Sequence, residues 1–456
     1  MTKIDSAIAA LDTGFSGRLI RPDDASYDTA RAVMYGGIDK RPGLIARVAS
    51  AADVQRAVTV ARDSGLELAV RSGGHSNAGH STTEGGLVLD LRDLKAIAVD
   101  AGAKTLWTET GATALEVTQA AVAHGLVVGF GDAGSVGVGG ITLGGGVGYL
   151  VRKWGLTIDA LLAAEIVTAD GRLLTADATQ NAELFWAIRG GGGNFGVATR
   201  FKFALRELPA FTGGMLVLPA TAETLAGFIA AAEAAPEEVS TIANVMPAPP
   251  MPFLPESVHG KLIILGMMAF AGEPEAGQRA LAPFRALATP YADFVKPGPY
   301  TQMYPPEDPD YHPTAVARTM FMDGVGRPEA ETILRELAQS DASLRVVQLR
   351  VLGGAYGRVP AEATAYAHRR SRIMVNVAAF YTTPADRLVR EAWIEGLSGR
   401  LRQSDQGAYV NFLGLESPER IRAAYPGAAW DRLRAIKAKY DPQNLFRLNQ
   451  NIAPVA

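Results

Sequence analysis

The sequence predicts an α+β protein built in two styles, and three observations carry that prediction. Glycine concentrates between residues 65 and 196, proline between 248 and 314. The first of these regions repeats a strand–helix–strand logic up to a boundary near Pro209. Beyond it, strand-like runs alternate with amphipathic helices and lack glycine-rich strand-to-helix turns, which favours an antiparallel sheet flanked by helices. At roughly 150 residues per domain, 456 residues suggest two or three domains.

The elements follow in chain order. Leu44–Val48 is a short apolar strand. Ser50-Ala-Ala-Asp53 reads as a capping box, Val54, Ala57, Val58 and Ala61 recur at helical spacing, and Gly65 stops the helix. Leu66–Val70 is a buried strand that runs into RSGGHS. A second helix starts alike at Thr113-Ala-Leu-Glu116 and stops at Gly125, and the strand Leu126–Phe130 runs into GDAGSVGVGGITLGGGVG. The middle region offers strands at Met215–Leu218, Leu262–Met268, Leu344–Leu352 and Ile373–Phe380. Its helices are Ala222–Ala234, Glu275–Leu287 and Pro328–Gln339. The tail returns to a strand, Ala408–Phe412, and a helix near Trp430–Lys439. No fixed-period repeat is visible.

Composition narrows the function classes. The chain has 44 Lys+Arg against 47 Asp+Glu and no block of like charge, so the electrostatic footprint of a nucleic-acid partner is missing. Zero cysteines exclude disulfides, thiolate metal sites and cysteine nucleophiles. No His-x-x-x-His or similar spacing points to a metal, and the absence of Gly-x-Ser-x-Gly weakens a hydrolase reading. The uncharged stretch Ala133–Val151 passes a length filter for a membrane helix. Eight of its 19 residues are glycine, so it reads as a loop-rich binding segment and not a span. The N-terminus lacks the apolar run of a signal peptide. The expectation is a soluble, cytoplasmic protein without a membrane partner.

Gly191–Gly196 formally matches the G-x-G-x-x-G dinucleotide fingerprint, but a helix-like stretch (Ala182–Arg189) precedes it and a strand-like one (Val197–Leu205) follows. That order is the reverse of what the fingerprint requires. RSGGHS is more specific. Gly73 and Gly74 allow a close backbone approach, successive amides can form an anion nest, and Ser72 and Ser76 add hydroxyl donors. The second loop, with Gly137, Gly139, Gly140, Gly144, Gly145, Gly146 and Gly148, points to a long diphosphate-containing cofactor. Of the six histidines, His80, His124 and His259 read as structural or surface residues, and His75 sits inside the first loop.

RSGGHS after a strand, GVGGITLGGGVG some way on, ELFWAIRGGGGNFGVAT, AYVNFLG and KYDPQNLFRLNQNI occur in one order. Together they resemble the vanillyl-alcohol-oxidase-type flavoproteins, in the branch of berberine-bridge-enzyme-like and 6-hydroxynicotine-oxidase-like enzymes. The resemblance is strong over residues 20–208, good over 405–456 and loose between. It implies a two-subdomain FAD-binding domain of the PCMH/VAO type, made of residues 1–207 and 405–456. Residues 208–404 would then form a substrate domain whose antiparallel sheet roofs the isoalloxazine.

The resemblance also assigns residues. His75 matches the histidine that the family links to the flavin 8α-methyl. The second, cysteinyl link of many members falls at Ala133 here, so a single link through His75 is expected. Arg71, Ser72, Gly73, Gly74, His75 and Ser76 carry over as cofactor-binding, as do Ser135, Gly137, Gly139, Gly140, Gly144, Gly145 and Gly146. Val197 falls where main chain meets the adenine, and Tyr409, Asn411, Asn449 and Asn451 match positions close to the flavin. Several relatives have Tyr-x-Asn-Tyr where this chain has Tyr409-Val-Asn411-Phe412, and a phenyl ring cannot take a proton.

The function implied is an oxidase. A small-molecule alcohol or amine gives a hydride to covalently bound FAD, and O2 reoxidises it to yield H2O2. Tyr409 leads the catalytic candidates, with Asn411, His312 and His368; Tyr304, Tyr311, Tyr356 and Arg369 are further polar groups of the substrate region. A dehydrogenase or reductase of the same fold and a non-catalytic flavin carrier are the alternatives. Homo-oligomerisation stays open.

Overall fold

A computed structural model describes residues 2–455. Its first sheet has four strands: Arg18–Ile20 runs antiparallel to Leu44–Arg47, and Leu87–Asp90 lies parallel between Leu44–Arg47 and Leu68–Arg71. The crossover helix Ala51–Ser64 buries Val54, Ala57, Val58 and Ala61. It stops at Gly65, whose φ of 62° suits a residue without a Cβ. The predicted reciprocal cap at its start is only half made. Ser50 accepts from the Asp53 amide, but the Asp53 carboxylate accepts from the Ala49 amide and from Ser16 instead.

A second, antiparallel sheet follows in the order Ile97–Asp100, Thr105–Glu109, Val197–Ala204, Leu161–Val167, Leu173–Asp177. The helix Ala114–Val122 packs beside it. At its start Thr113 and Glu116 close the predicted capping box from both sides. The strand expected at Leu126–Phe130 contracts to Leu126–Val127. The segment expected to be loop-rich holds a seven-residue helix, Val138–Gly144.

The third sheet is antiparallel throughout. Its order is Ala292–Asp293, Thr212–Pro219, Leu262–Phe270, Val239–Pro247, Arg345–Val351, Ile373–Phe380, Ala315–Met322, with Lys296–Pro297 also paired to Thr212–Pro219. Helices Ala222–Ala234, Pro274–Arg285, Arg327–Gln339 and Pro384–Leu401 cover one face through a core that includes Phe228, Phe284, Ile333 and Leu397. All four predicted strands are present. Val239–Pro247, Ala315–Met322 and the helix Pro384–Leu401 are additional. The two extra strands mix Ser, Thr, Asn and Arg into their apolar positions, which dilutes a purely hydrophobic signal.

The chain then returns to the first region. The strand expected at Ala408–Phe412 is instead an extended approach ending in a 3₁₀ turn, Val410–Phe412, closed by the Phe412 amide on the Tyr409 carbonyl (3.0 Å). Among the described residues no strand pairs with it, and the side chains of Tyr409 and Asn411 hold it in place. The helix Ala428–Tyr440 buries Leu433 and Ile436 in the same core as Phe201 and Phe203. Its Lys437 is fully buried and donates to Asp441 (2.5 Å), to the Asn194 carbonyl (2.8 Å) and to the Phe446 carbonyl (2.9 Å). Asn194 in turn donates to the Gln450 carbonyl (3.2 Å) and accepts from the Ile452 amide (2.9 Å).

Candidate functional site

The strand Leu68–Arg71 delivers the chain to Ser72–Ala78, where the first glycine loop lies directly on the second. A Cβ on Gly73 would sit 2.2 Å from the Gly137 amide nitrogen, and one on Gly137 would sit 2.1 Å from Ser72 Oγ. Only glycine permits this contact. Ser72 Oγ ties the two loops by donating to the Thr110 carbonyl (2.6 Å) and accepting from the Gly139 amide (3.3 Å). Gly74 has φ 77°. Among the described residues, no backbone amide from Ser72 to Ala78 finds a carbonyl partner. Such a run of unsatisfied donors calls for an acceptor from outside the chain. Ser76 Oγ accepts from the His80 amide (3.3 Å), and Gly140 is exposed, with nothing near its would-be Cβ.

Arg71 is a correction. Its guanidinium is fully buried and donates to the backbone carbonyls of Ser81 (3.0 Å), Ala30 and Arg31 (3.2 Å). Burial lowers its pKa to about 10. It braces the loop from behind and does not line it.

His75 Nε2 lies 3.0 Å from Ser135 Oγ. Ser135 Oγ also donates to Glu307, and the other Glu307 oxygen accepts from the amides of Gly134 (2.9 Å) and Ser135 (3.2 Å). Burial lowers the His75 pKa, while Glu307 and Asp132 pull it back up.

The turn at 409–411 clasps the second glycine segment. Tyr409 OH accepts from the Gly146 amide (2.9 Å) and from Asn411 Nδ2 (2.9 Å), and Asn411 Nδ2 also reaches the Ile141 carbonyl (3.1 Å). A Cβ on Gly144 would lie 1.9 Å from Asn411 Oδ1. Burial raises the Tyr409 pKa, opposed by those two donors. Asn449 and Asn451 each keep a buried Oδ1 without a partner. Val197 opens its strand opposite Val167 in the core.

The helix-free face of the third sheet covers the second glycine segment. Arg350 on that face pairs with Asp132 (2.5 Å), donates to the Val147 carbonyl (3.2 Å) and lies over the Phe412 ring. Two residues along its strand, Gln348 joins a row that crosses four strands in register: Asn244 opposite Gln348, Gln348 opposite Asn376, Asn376 opposite Thr319. Gln348 donates to Asn244 Oδ1 (2.9 Å), while Asn376 Oδ1 and Thr319 Oγ1 are buried without partners.

The remaining candidates other than Tyr311 have partners of their own. His368 is buried between Phe321 and Tyr366, with Nε2 on the Ala424 carbonyl (3.0 Å). His312 is exposed and meets the Met34 carbonyl (3.3 Å). Tyr356 donates to the His368 carbonyl, Arg369 is clamped on Asp159 (2.8 and 2.7 Å), Tyr304 donates to the Gly131 carbonyl (3.1 Å), and Tyr311 is exposed. The candidate functional residues that sequence reasoning misses are Glu307, Asp132, Asn244, Gln348, Arg350, Asn376 and Thr319. A signal existed for some of them: Gln348 and Arg350 alternate with Val347, Leu349 and Val351, as a two-sided strand would have it.

Comparison with known proteins bears on this arrangement. Residues 42–177 match the FAD binding domain family, and residues 408–453 match the berberine and berberine-like family. The chain is 30% identical to (R)-6-hydroxynicotine oxidase of Paenarthrobacter nicotinovorans, over 98% of this chain and 99% of that one. It is 28% identical to chitooligosaccharide oxidase of Gibberella zeae, over 91% and 88%. The crystal structure of 6-hydroxy-D-nicotine oxidase from Arthrobacter nicotinovorans superposes with a TM-score of 0.84 at 29% identity, covering 97% of this chain and 99% of that one. The chain belongs to the berberine-bridge-enzyme-like FAD-linked oxidoreductases. It is an FAD-dependent oxidoreductase with the VAO/PCMH fold.

In this oxidoreductase the residues present fit FAD. The partnerless amides of 72–78 suit a diphosphate. Thr142 Oγ1, His80 Nε2 and the Asn449 and Asn451 Oδ1 atoms are buried polar groups that lack a protein partner, and each such group costs free energy until something pairs with it. Ser72–Ser76, Val136–Gly140, Gly144–Gly146, Asn449 and Asn451 would hold the cofactor, with Arg71 and Ser135 as braces, the Ser135 amide and hydroxyl being taken up by Glu307 and His75.

Proposed function

We propose that this oxidoreductase oxidises a small polar molecule at a carbon bearing a hydroxyl or an amine, with FAD linked through His75, O2 as the final acceptor and H2O2 as product. In this reading residues 1–207 and 405–456 hold the cofactor in a cytoplasmic protein, and 208–404 receive the substrate. The observation that carries it is the row Asn244, Gln348, Asn376 and Thr319. These three amides and a hydroxyl stand where a face merely packed on its neighbour would bury aliphatic side chains, and two of their buried oxygens lack partners. The two relatives named above are both called oxidases, which supports the choice of O2. No helix among the described residues is long and apolar enough to cross a membrane.

Bound FAD supplies the hydride acceptor. The chain's own residues do the rest. The polar row orients the substrate, and Tyr409 takes the hydroxyl proton of an alcohol. Its oxygen accepts from Gly146 and Asn411, which favour the charged form against the burial that raises its pKa, and it takes the substrate proton once its own, which has no protein acceptor among the described residues, has left. Asn411 is a positioning residue. His312 and His368 are set aside: one ring nitrogen of each meets a backbone carbonyl, His312 on an exposed segment and His368 in the core.

The test is a panel of alcohols and amines read anaerobically as flavin bleaching, followed by rapid mixing of the reduced enzyme with O2. Bleaching within the turnover time and one H2O2 per substrate are expected. Reoxidation by O2 much slower than by an artificial quinone would make the protein a dehydrogenase.

A further inference from the structure

Ser135 and Glu307 form a chain of hydrogen bonds ending on His75, and its polarity can be worked out atom by atom. A carboxylate only accepts. Ser135 has one hydroxyl proton and gives it to Glu307, so its oxygen must accept on the other side, from the imidazole at 3.0 Å. The imidazole proton is therefore on Nε2. His75 Nδ1, which has no protein hydrogen bond among the described residues, keeps its lone pair. Glu307 comes from a proline-flanked segment, Pro305–Pro309, 172 positions beyond Ser135. It also holds the Gly134 and Ser135 amides, so the loop and the hydroxyl are fixed by one carboxylate.

We propose that Ser135 and Glu307 are a proton relay that sets the tautomer of His75 and accepts its Nε2 proton while Nδ1 bonds to the flavin 8α carbon. The inference rests on the covalent linkage proposed above. In balance, one C–H bond at the 8α-methyl breaks and an N–C bond forms. The electron pair reduces the isoalloxazine, the methyl proton and the Nε2 proton are released, and the reduced ring takes up two protons. O2, or another two-electron acceptor, then reoxidises the ring. Without the relay, bonding at Nδ1 would leave an imidazolium in a buried site. The groups facing His75 are Ser135, Glu307 and Asp132, the last neutralised by Arg350. Burial keeps the imidazole neutral to lower pH than usual, so linkage persists below neutrality and fails once the ring takes a proton. Ser135 and Glu307 are positioning residues, and neither is required to hold FAD non-covalently.

The sharp variant is Glu307→Gln. Its amide oxygen can still hold the Gly134 and Ser135 amides, but its NH2 donates to Ser135, reverses the hydroxyl and moves the imidazole proton to Nδ1. Full-length proteins produced under riboflavin limitation would be mixed with FAD in air. Intact mass then follows covalent addition from pH 5.5 to 9, and absorbance gives total bound flavin. Wild type and Ser135→Thr should link fully. Glu307→Gln and Ser135→Ala should bind FAD yet link at least about tenfold more slowly, in keeping with the usual worth of a positioned proton acceptor, and His75→Ala should not link. Glu307→Gln and Ser135→Ala linking at the wild-type rate and with the same pH profile would overturn the relay and leave the His75 bond standing. A wild type without covalent flavin would overturn both. Should Glu307→Gln bind no FAD, the comparison of Ser135→Ala with Ser135→Thr decides, and equal rates there sink the relay.

Discussion

Residues 72–78 offer hydrogen-bond donors through the backbone, whereas the row Asn244, Gln348, Asn376 and Thr319 offers polar groups through side chains. The glycine floor works because side chains are missing: two loops lie so close that a single methyl on Gly137 would strike Ser72 and Gly73. The sheet roof works because particular side chains come into register across four strands. A site of the first kind is intolerant of added atoms and indifferent to side-chain chemistry. A site of the second kind tolerates changes in size, and its chemistry can be altered one residue at a time.

The contrast can be broken most forcefully at Gly137. Gly137→Ala, made with His75→Ala so that no covalent bond masks the equilibrium, should cost about 3 kcal/mol through overpacking against backbone. That is about 100-fold weaker FAD retention, read as flavin absorbance after gel filtration; undiminished retention would mean the loops need not touch. His80 probes the floor by pH. Burial, helped by Lys40, depresses its pKa from 6.5 to about 4. The folded state thus binds fewer protons than the unfolded chain, so stability is at its fullest above pH 6.5 and falls as pH drops toward 4. The loss approaches about 3 kcal/mol by linkage. Melting curves from pH 7 to 4.5 should show that slope, and His80→Asn should flatten it; parallel curves for the two proteins would remove His80 from the account.

Smaller effects sharpen the turn at 409–411 and the roof. With an alcohol substrate, Tyr409→Phe should slow anaerobic flavin reduction by at least about tenfold and change its pH profile. With an amine the rate should hardly move, because the nitrogen lone pair already assists hydride departure. Asn376→Ala should raise KM about fivefold, the worth of one hydrogen bond near 1 kcal/mol, at unchanged flavin content. Loss of flavin in Asn376→Ala would mean that floor and roof are not separable.

The same contrast explains what could be read in advance. RSGGHS and GVGGITLGGGVG are contiguous runs, so the two glycine loops are legible in the sequence, with His75 inside the first. Helices with local caps, such as Thr113–Glu116, were legible too. The roof was not, since nothing in Asn244 announces that it stands beside Gln348, 104 positions away. Glu307 looked like one acid in a proline-rich stretch until the fold set it against Ser135. Arg71 misled for the opposite reason: it follows the motif in sequence, yet a strand turns its side chain to the far side. The tail at 408–412 misled through its alternating Ala, Val and Phe, a strand pattern without a strand to pair with.

The fastening of the tail has a consequence for synthesis. Lys437, Gln450 and Ile452 close on Asn194 across separations of 243 to 258 residues. On the ribosome, the third sheet and its helices, all within residues 212–401, can complete their pairing while the glycine floor still lacks its last wall. The floor closes only when the final residues emerge, after every other sheet has been made. Cofactor capture is thereby scheduled at the end of translation, and a chain interrupted near residue 440 would leave a folded central portion that never turns yellow.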